Sequence, residues 1–336
     1  MSSICAKRTL AIPLRTAAAL NYLFPILACL LWGANTIVTK LASGSVGPID
    51  IGFFRWLVAA VLLLPFALPR LRGNLPTVRA NLGRFLVLGC LGGVMYQCLA
   101  YYAAHFTSAT NMGVIQALIP LIALALSRVF MGHPVRGTAI LGAVISSIGV
   151  VAVVSQGDLA RLATQGLNRG DAIMLVGALA FAAYNVLMQR WKIPLSVLES
   201  LFLQATAASL ILLPLQLLIG TGVDNLTAVG CIGFAAVCAS ILAPLTWMTG
   251  LSRLGAARVS GFFNLVPIVT AALAVMLLGE SLTGWVLGGG LLAVGGVVFA
   301  EYAAKRAAAQ AQCRDQESCT DPHNACCTRN SSASTS

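Results

Sequence analysis

The chain has 336 residues, of which 58% are hydrophobic and 9% are charged. An ordinary soluble domain has roughly 25% charged residues, so this composition excludes a soluble globular protein with a charged surface. The net charge of +11 does not indicate nucleic-acid binding, because the basic residues stand between apolar segments and form no stripe with aromatic residues. The composition predicts an integral membrane protein in contact with lipid.

Apolar segments of about 20 residues, enough to cross ~30 Å of hydrocarbon, recur along the chain. We predict spans at 22–41, 51–69, 84–104, 108–130, 138–154, 172–190, 198–219, 228–250, 256–278 and 283–302. The predicted fold class is therefore an all-α polytopic membrane protein with ten transmembrane helices. An even number of spans places both termini on the same side.

The segments outside these spans are short. Residues 1–21 contain basic residues but no cleavage site after a short apolar core, which predicts a retained cytoplasmic segment. Residues 155–171 are predicted to be a periplasmic linker, and residues 303–336 a disordered cytoplasmic tail. That tail contains Cys313, Cys319, Cys326, Cys327 and His323. Their spacing matches no standard zinc pattern, so we expect neither a metal site nor a cofactor.

Most of the 21 Lys and Arg residues fall on one side if the N-terminus is cytoplasmic. Only Lys40, Arg55, Arg161 and Arg169 would lie outside. Because cytoplasmic loops are enriched in basic residues, we predict that both termini are cytoplasmic.

Residues 108–151 recur at 255–298 with a constant spacing of 147 and no gap. The spacing aligns Pro120 with Pro267, Gly132 with Gly279, Gly137 with Gly284, Gly142 with Gly289 and Gly149 with Gly296. Proline and glycine restrict or relax the backbone at set places, so their common register indicates a duplication. The predicted repeats are 22–154 and 172–302, and five spans in each make their orientations opposite. Inverted repeats are typical of secondary transporters, which bind solute near the midplane.

A weaker similarity precedes this block in each half. The stretch LLWGANTIVTK at 30–40 is similar to FAAYNVLMQR at 181–190, which sets Asn35 over Asn185. The stretch LLLP at 62–65 matches ILLP at 211–214.

The stretches WGANTIVTK, FFRWLVAAVLLLP, IQALIPLIALALSRVFMGHPV and FNLVPIVTAALAVMLLGESLTGWVLGG together resemble the EamA-type branch of the drug/metabolite transporter superfamily. The resemblance covers 22–302. It implies a ten-helix bundle of two inverted five-helix repeats in the bacterial cytoplasmic membrane, which moves small metabolites such as amino acids, often outward. One position departs from the family pattern: Glu280 keeps an acidic residue that His133 replaces in the first repeat.

Polar side chains within the spans are the candidates for lining a solute cavity, since a polar group in a bilayer must be paired or hydrated. They are Trp32, Asn35, Tyr96, Gln97, Gln116, Tyr184, Asn185, Trp247 and Asn264. Amides and aromatic rings suit an uncharged or zwitterionic solute. The alternative is that these groups only join neighbouring helices, for about 0.6–2 kcal/mol each.

Pro120 and Pro267 are predicted helix breaks, since each proline frees a carbonyl one turn earlier, at Gln116 and Phe263. The exposed carbonyls would face the solute path, or the prolines would only kink the helices. Lys40 and Arg55 flank the first outer turn. Snorkelling to the headgroups is the default for both, and a gate that attracts a carboxylate is the alternative.

None of the ten acidic residues lies in the middle of a span. Coupled carriers commonly use an intramembrane carboxylate, so we favour passive or weakly coupled transport. The fifth and tenth spans have small-residue ridges, Gly142-x3-Ser146 and Gly289-x3-Ala293, which permit close helix packing. They are predicted to pack within the bundle or against a second protomer, so a homodimer is one of the two possibilities.

Two other classes of function fit the sequence less well than a small-molecule transporter. An intramembrane transferase would need clustered acids, histidines or a metal, whereas His105, His133 and His323 are scattered. A sensor or scaffold would need a folded extramembrane domain, and the loop at 155–171 is too short for one. The sequence therefore predicts a transporter and no enzymatic activity.

Overall fold

The computed structural model describes residues 20–42, 45–103, 106, 112, 115–132, 136–155, 157–158, 169–278 and 283–320. Within these ranges the side chains of residues 39–42, 48, 101, 154, 274, 278, 301 and 304–320 are outside the description. His133 and Glu280 lie outside the described residues, as does the tail beyond Thr320, whereas the backbone of residues 303–320, the first part of the predicted tail, is helical.

All regular structure among the described residues is helical. We number the helices in chain order. They are α1 (Leu23–Ala42), α2 (Pro48–Gly73), α3 (Leu75–Leu88, Gly89–Met95 and Tyr96–Ala103), α4 (Ile119–Met131), α5 (Gly137–Ser155), α6 (Arg169–Trp191), α7 (Val197–Ile219), α8 (Leu226–Phe234, Ala235–Leu242 and Ala243–Leu254), α9 (Ala256–Phe262 and Leu265–Leu278) and α10 (Gly284–Thr320). The middle segments of α3 and α8 are π-helical.

Helix length and composition support membrane crossing. Six segments are long and apolar enough to span a bilayer: Ile49–Gly73, Leu75–Ala100, Arg169–Trp191, Val197–Ile219, Leu226–Leu254 and Ala256–Leu277. Four shorter apolar helices stand beside them: Leu23–Val38, Ile119–Met131, Gly137–Val153 and Gly284–Ala300. Outward-facing leucines such as Leu218, 80% exposed, and Leu291, 75% exposed, need lipid around them. The chain is a multi-pass membrane protein.

The helices pack in pairs that are related by exchange of the two halves of the chain. α2 packs against α7, and α5 packs against α10. α1 contacts α8 and α9, while α6 contacts α3 and α4. When each helix number is shifted by five, α1–α8 becomes α6–α3 and α1–α9 becomes α6–α4, while α2–α7 and α5–α10 map onto themselves.

Glycines allow the backbones of α5 and α10 to touch. A Cβ on Gly142 would lie 2.8 Å from the carbonyl oxygen of Gly296, and one on Gly296 would lie 2.7 Å from that of Gly142. The same reciprocal contact joins Gly149 and Gly289, at 2.5 and 2.7 Å. Since side chains do not fit at such distances, the predicted small-residue ridges pack against each other within one chain.

Two buried carboxylates join the ends of α2 and α7. Asp50, in the first turn of α2, accepts hydrogen bonds from Gln216 Nε2 at 2.7 Å, Thr221 Oγ1 at 2.7 Å and the backbone N–H of Gly222 at 3.0 Å. Glu199, in the first turn of α7, accepts one from Asn74 Nδ2 at 2.8 Å, just beyond the end of α2. Each carboxylate therefore ties the start of its own helix to the end of the other.

Helix interruptions precede both repeat prolines. α4 begins at Ile119, so that Pro120 lies in its first turn, and α9 is interrupted between Phe262 and Leu265, ahead of Pro267. The prediction of a free carbonyl at Phe263 is wrong, because that oxygen accepts the N–H of Val266 at 3.0 Å. A tight turn re-forms the bond that proline removes.

Helix α5 contacts both interruptions. Ser147 Oγ donates to the carbonyl of Ala117 at 2.6 Å, just before α4. Asn264 Nδ2, in the break of α9, donates to Ser146 Oγ at 3.1 Å. Ser147 thus supplies a donor for a backbone carbonyl beside the first interruption, and the adjacent Ser146 accepts from a side chain in the second.

Candidate functional site

The π-helical turns of α3 and α8 occupy equivalent places in the two halves. They end at Met95 and Leu242, which are related by the same spacing of 147 that relates the sequence repeats. A tryptophan of another helix binds each turn: Trp56 Nε1 donates to the Gly93 carbonyl at 2.9 Å, and Trp32 Nε1 donates to the Ala239 carbonyl at 3.2 Å. Such π-helical turns are frequent at functional sites because they present unusual backbone geometry.

An aromatic cluster lies between these two turns. It comprises Trp32, Tyr96, Phe181, Tyr184, Trp247 and Phe263, from four helices and the break of α9. The ring centroids of Trp32 and Trp247 are 5.2 Å apart, and those of Phe181 and Phe263 are 4.8 Å apart. These separations fall in the range of favourable tilted ring contacts, 4.5–7 Å.

A cavity of about 170 Å³ opens beside the aromatic cluster. Its polar or aromatic lining residues are Trp32, Asn35, Thr36, Arg55, Trp56, Tyr96, Gln97, Gln116, Phe181, Tyr184, Gln204, Trp247 and Phe263. Both halves of the chain contribute, and α5 and α10 contribute none of the described lining residues. The volume is below the roughly 300 Å³ at which pockets for drug-sized ligands begin, which limits the cavity to a small solute.

Seven of the nine candidate residues predicted from the sequence line this cavity: Trp32, Asn35, Tyr96, Gln97, Gln116, Tyr184 and Trp247. Asn185 and Asn264 are buried outside it. Asn185 Oδ1 accepts a hydrogen bond from Trp247 Nε1 at 2.8 Å, so it orients a lining residue. Asn264 bonds Ser146, so it joins α9 to α5.

The structure corrects the expectation for Arg55. Snorkelling to the outer headgroups requires an exposed side chain, but Arg55 is 3% exposed. Its Nε–H donates to Ser240 Oγ at 2.7 Å, and its guanidinium carbon lies 5.5 Å from the centre of the Trp56 ring. Arg55 is a lining residue of the cavity. The backbone of Lys40 belongs to α1, but its side chain is outside the described part of the chain.

Several lining residues were missed. Phe181 and Phe263 are apolar and were indistinguishable from ordinary core residues in such a hydrophobic chain. Gln204 and Thr36 could have been found by the same polar-in-span criterion that selected Gln97. Trp56 packs inside the bundle at 7% exposure, although tryptophan is frequent at membrane interfaces.

Two larger cavities, of about 410 and 540 Å³, lie at one end of the bundle. The first is lined in part by Arg136 and Arg258, the second by Lys192 and Arg253, and Gln189 lines both. Basic side chains of several helix ends therefore share one end of the molecule.

Membrane-spanning helices around a central polar and aromatic cavity define a membrane transport protein, and comparison with known proteins supports this class. The model of the EamA-like transporter family matches residues 19–155 and again residues 168–302. The chain belongs to this family, which confirms the resemblance read from the sequence.

Curated relatives cover most of the chain. An uncharacterized transporter of Bacillus subtilis, YyaM, is 30% identical over 71% of this chain and 79% of its own length. The uncharacterized inner membrane transporter YedA of Escherichia coli is 27% identical over 81% of this chain and 86% of its own. A probable terminal-alkyne amino-acid exporter of Streptantibioticus cattleyicolor is 24% identical over 82% and 91%.

One solved crystal structure shares the fold. It superposes with a TM-score of 0.69 and covers 86% of this chain and 98% of its own, at 21% sequence identity. At that identity the likeness extends to the fold alone.

Proposed function

We propose that this protein exports small metabolites, namely amino acids or related uncharged or zwitterionic solutes, by alternating access. Two inverted five-helix halves would rock about the central cavity and expose it to one side of the membrane at a time. The protein would carry no catalytic activity and need no cofactor.

The observation that carries this proposal is the composition of the central cavity. Amide groups of Gln97, Gln116 and Gln204 and the ring of Trp32 meet there from separate helices. Amide groups supply hydrogen-bond donors and acceptors, while the aromatic faces bind apolar parts of a solute. The open volume among these groups favours solute binding over a purely structural set of interhelical bonds.

Three observations support the inverted repeat. The helix pairings are preserved when the halves are exchanged. The contact between Gly142 and Gly296 becomes that between Gly289 and Gly149 under the same exchange. The family model also matches twice. A twofold relation between halves of opposite orientation accounts for all three.

We further propose that both termini face the cytoplasm, in the inner membrane of a bacterium. The basic residues Arg136, Arg253 and Arg258 at one end of the bundle support this orientation, because basic residues accumulate on the cytoplasmic side. The N-terminus of α1 lies at the same end, since Asn21 Oδ1 accepts a hydrogen bond from Arg253 at 2.9 Å.

One relative supports the proposed direction of transport and the proposed class of solute. The Streptantibioticus cattleyicolor protein is described as a probable exporter of an amino acid. The terminal-alkyne amino acid is the solute named for that protein alone. For this chain, the similarity favours amino acids over other small metabolites and export over uptake.

Two alternative functions remain less favoured. A sensor or scaffold would not require a central cavity with polar groups from both halves. An intramembrane transferase would require a cluster of acids, histidines or a metal, and the described lining residues include no Asp, Glu, His or Cys.

A homodimer stays a prediction. The glycine ridge of α10 is occupied by α5 of the same chain, so a second copy would contact other faces, such as the exposed Leu287, Leu291 and Val298. Cross-linking of a cysteine introduced at Leu291 in native membranes tests this, and the absence of a cross-linked dimer counts against the interface.

Solute flux in proteoliposomes tests the proposed transport. Trp32→Ala and Gln116→Ala should each reduce flux by about tenfold while expression is maintained, because each removes a group that lines the cavity. Trp285→Ala is the matched control, since Trp285 is 53% exposed on α10. Unchanged flux in both cavity variants would refute the assignment of this cavity. A comparison of extracellular metabolites from cells with and without the protein selects the solutes to test.

A further inference from the structure

We propose that Arg55 anchors a carboxylate of the transported solute, so that the substrates are carboxylate-bearing molecules whose apolar part lies against the aromatic cluster. This inference rests on the proposed transport function and names the chemical group that the cavity recognises.

The first step is the charge of the cavity. Arg55 is the one lining residue with a formal charge among those that the structure describes. An arginine side chain does not lose its proton in a protein, so the cavity contains a permanent positive charge. A charged residue within a membrane bundle is costly and is by default a functional residue.

The second step is the position of the guanidinium group. Donation from Nε to Ser240 Oγ at 2.7 Å fixes one edge of the group, and the Trp56 ring supports it at 5.5 Å. Trp56 is in turn held by the carbonyl of Gly93. These contacts orient the group, and neither Ser240 nor Trp56 carries a charge. An oriented guanidinium matches the planar geometry of a carboxylate.

The third step is the remainder of the site. Trp32, Phe181, Trp247 and Phe263 form a continuous aromatic surface in the same cavity. Aromatic faces bind apolar groups and also attract cations. A small amino acid presents a carboxylate, an ammonium group and an apolar side chain, which this combination accommodates within about 170 Å³.

An alternative role for Arg55 is structural, since its bond to Ser240 joins α2 to α8. The two roles predict different selectivity. Loss of a structural bond weakens the binding of all solutes alike, whereas loss of the anchor weakens only those that carry a carboxylate.

The test compares acids with their carboxamides. Binding of L-leucine, L-methionine, L-phenylalanine and L-threonine, and of the corresponding carboxamides, is measured on purified full-length protein through tryptophan fluorescence, since Trp32, Trp56 and Trp247 line the cavity. The wild-type protein should bind the best acid at least about tenfold more tightly than its carboxamide. Equal affinities, or binding of no compound in the panel, would overturn the inference.

The variants then locate the preference. Arg55→Gln should lower affinity for the acid by at least about tenfold, and much more than affinity for the carboxamide, while Arg55→Lys should keep part of the preference. Arg72→Gln is the matched control, because Arg72 is an exposed arginine near the end of the same helix. A preference that survives in Arg55→Gln, or an equal loss for acid and carboxamide, would contradict the anchor. If Arg55→Gln does not fold, the affinities of the wild-type protein and of Arg55→Lys for acid and carboxamide still test the inference.

Flux separates this inference from the proposed function. Proteoliposomes that bind acids selectively but move none of them would refute transport and leave the anchor standing. Proteoliposomes that move acids and carboxamides equally well would refute the anchor and leave transport standing.

Discussion

Asp50 and Glu199 occupy the first turns of α2 and α7, and each accepts a hydrogen bond from residues at the far end of the other helix. The match of LLLP at 62–65 with ILLP at 211–214 aligns these two acids with each other. Both are almost fully buried, at 1% and 2% exposure. The antiparallel pair of α2 and α7 is therefore fastened at both ends by equivalent groups.

The first prediction concerns these two fastenings. Asp50→Ala and Glu199→Ala should each lower the free energy of unfolding by about 1–3 kcal/mol, because each removes a buried carboxylate that accepts hydrogen bonds from the other helix end. Gln216 and Glu199 are separated along α7 by roughly 25 Å at 1.5 Å per residue, so the two effects should add in the double variant. Chemical or thermal unfolding in detergent measures them.

The exposed Asp224 provides the control for this prediction. Asp224→Ala should change stability by no more than about 0.5 kcal/mol. If the Asp50 and Glu199 variants were as stable as this control, the carboxylates would not fasten the pair.

The second prediction concerns the bond between Trp247 and Asn185. Trp247→Phe and Asn185→Leu should each cost about 1–3 kcal/mol, since each leaves one buried partner unsatisfied. The double variant should cost less than the sum by at least about 0.5 kcal/mol. Asn185 Nδ2 has no partner among the described residues. Once Trp247→Phe has removed the indole N–H, Asn185→Leu therefore replaces an amide without hydrogen bonds by an apolar side chain, which is favourable in a buried position.

A thermodynamic cycle on purified protein measures this coupling. Combining Trp247→Phe with Asn81→Leu gives the control cycle, because Asn81 donates to the Thr77 carbonyl at 2.9 Å and accepts from Arg84 at 2.8 Å, both within α3. Additive costs in the Asn185 cycle would mean that the bond contributes nothing to stability.

The third prediction uses two adjacent glycines of α10. Gly296→Ala should destabilise the protein by about 1–3 kcal/mol, because the new Cβ would lie 2.7 Å from the Gly142 carbonyl. Gly295→Ala should be neutral or stabilising by up to roughly 1 kcal/mol, since its Cβ meets nothing within 4 Å. Melting temperatures of the two variants provide the comparison, and equal values would contradict the crossing of α5 and α10.

The fourth prediction concerns energy coupling. The lining residues that the structure describes include no Asp or Glu, so the cavity offers no carboxylate that could bind a proton or sodium ion. Flux down a solute gradient in proteoliposomes should therefore persist, within about twofold, after an ionophore collapses the proton gradient. A strict requirement for the gradient would refute passive transport.

Much of the candidate site was predictable because polar residues are rare in this chain. Trp32, Gln97 and Gln116 are conspicuous within apolar spans, and all three line the cavity. Asn185 follows Tyr184 directly, but successive residues of an α-helix point about 100° apart. Tyr184 faces the cavity and Asn185 faces Trp247, which no property of the residue type reveals.

Arg55 shows why the position of a helix end matters. The predicted second span began at residue 51, whereas α2 begins at Pro48. Arg55 is thus seven residues inside the helix, about 10 Å from its start at 1.5 Å per residue. That depth places it inside the bundle, and Asp50 occupies the helix end instead.

Membrane crossing, the repetition of the two halves and the equivalent positions of glycine and proline are legible in the residues alone, because hydropathy and backbone restriction are local properties. The contact of Gly142 with Gly296, the bond of Asn264 to Ser146 and the place of Arg55 in the cavity appear only in the folded chain. These contacts depend on the rotation and depth of each helix relative to its neighbours. Packing of whole helices sets both, and no single stretch of residues encodes them.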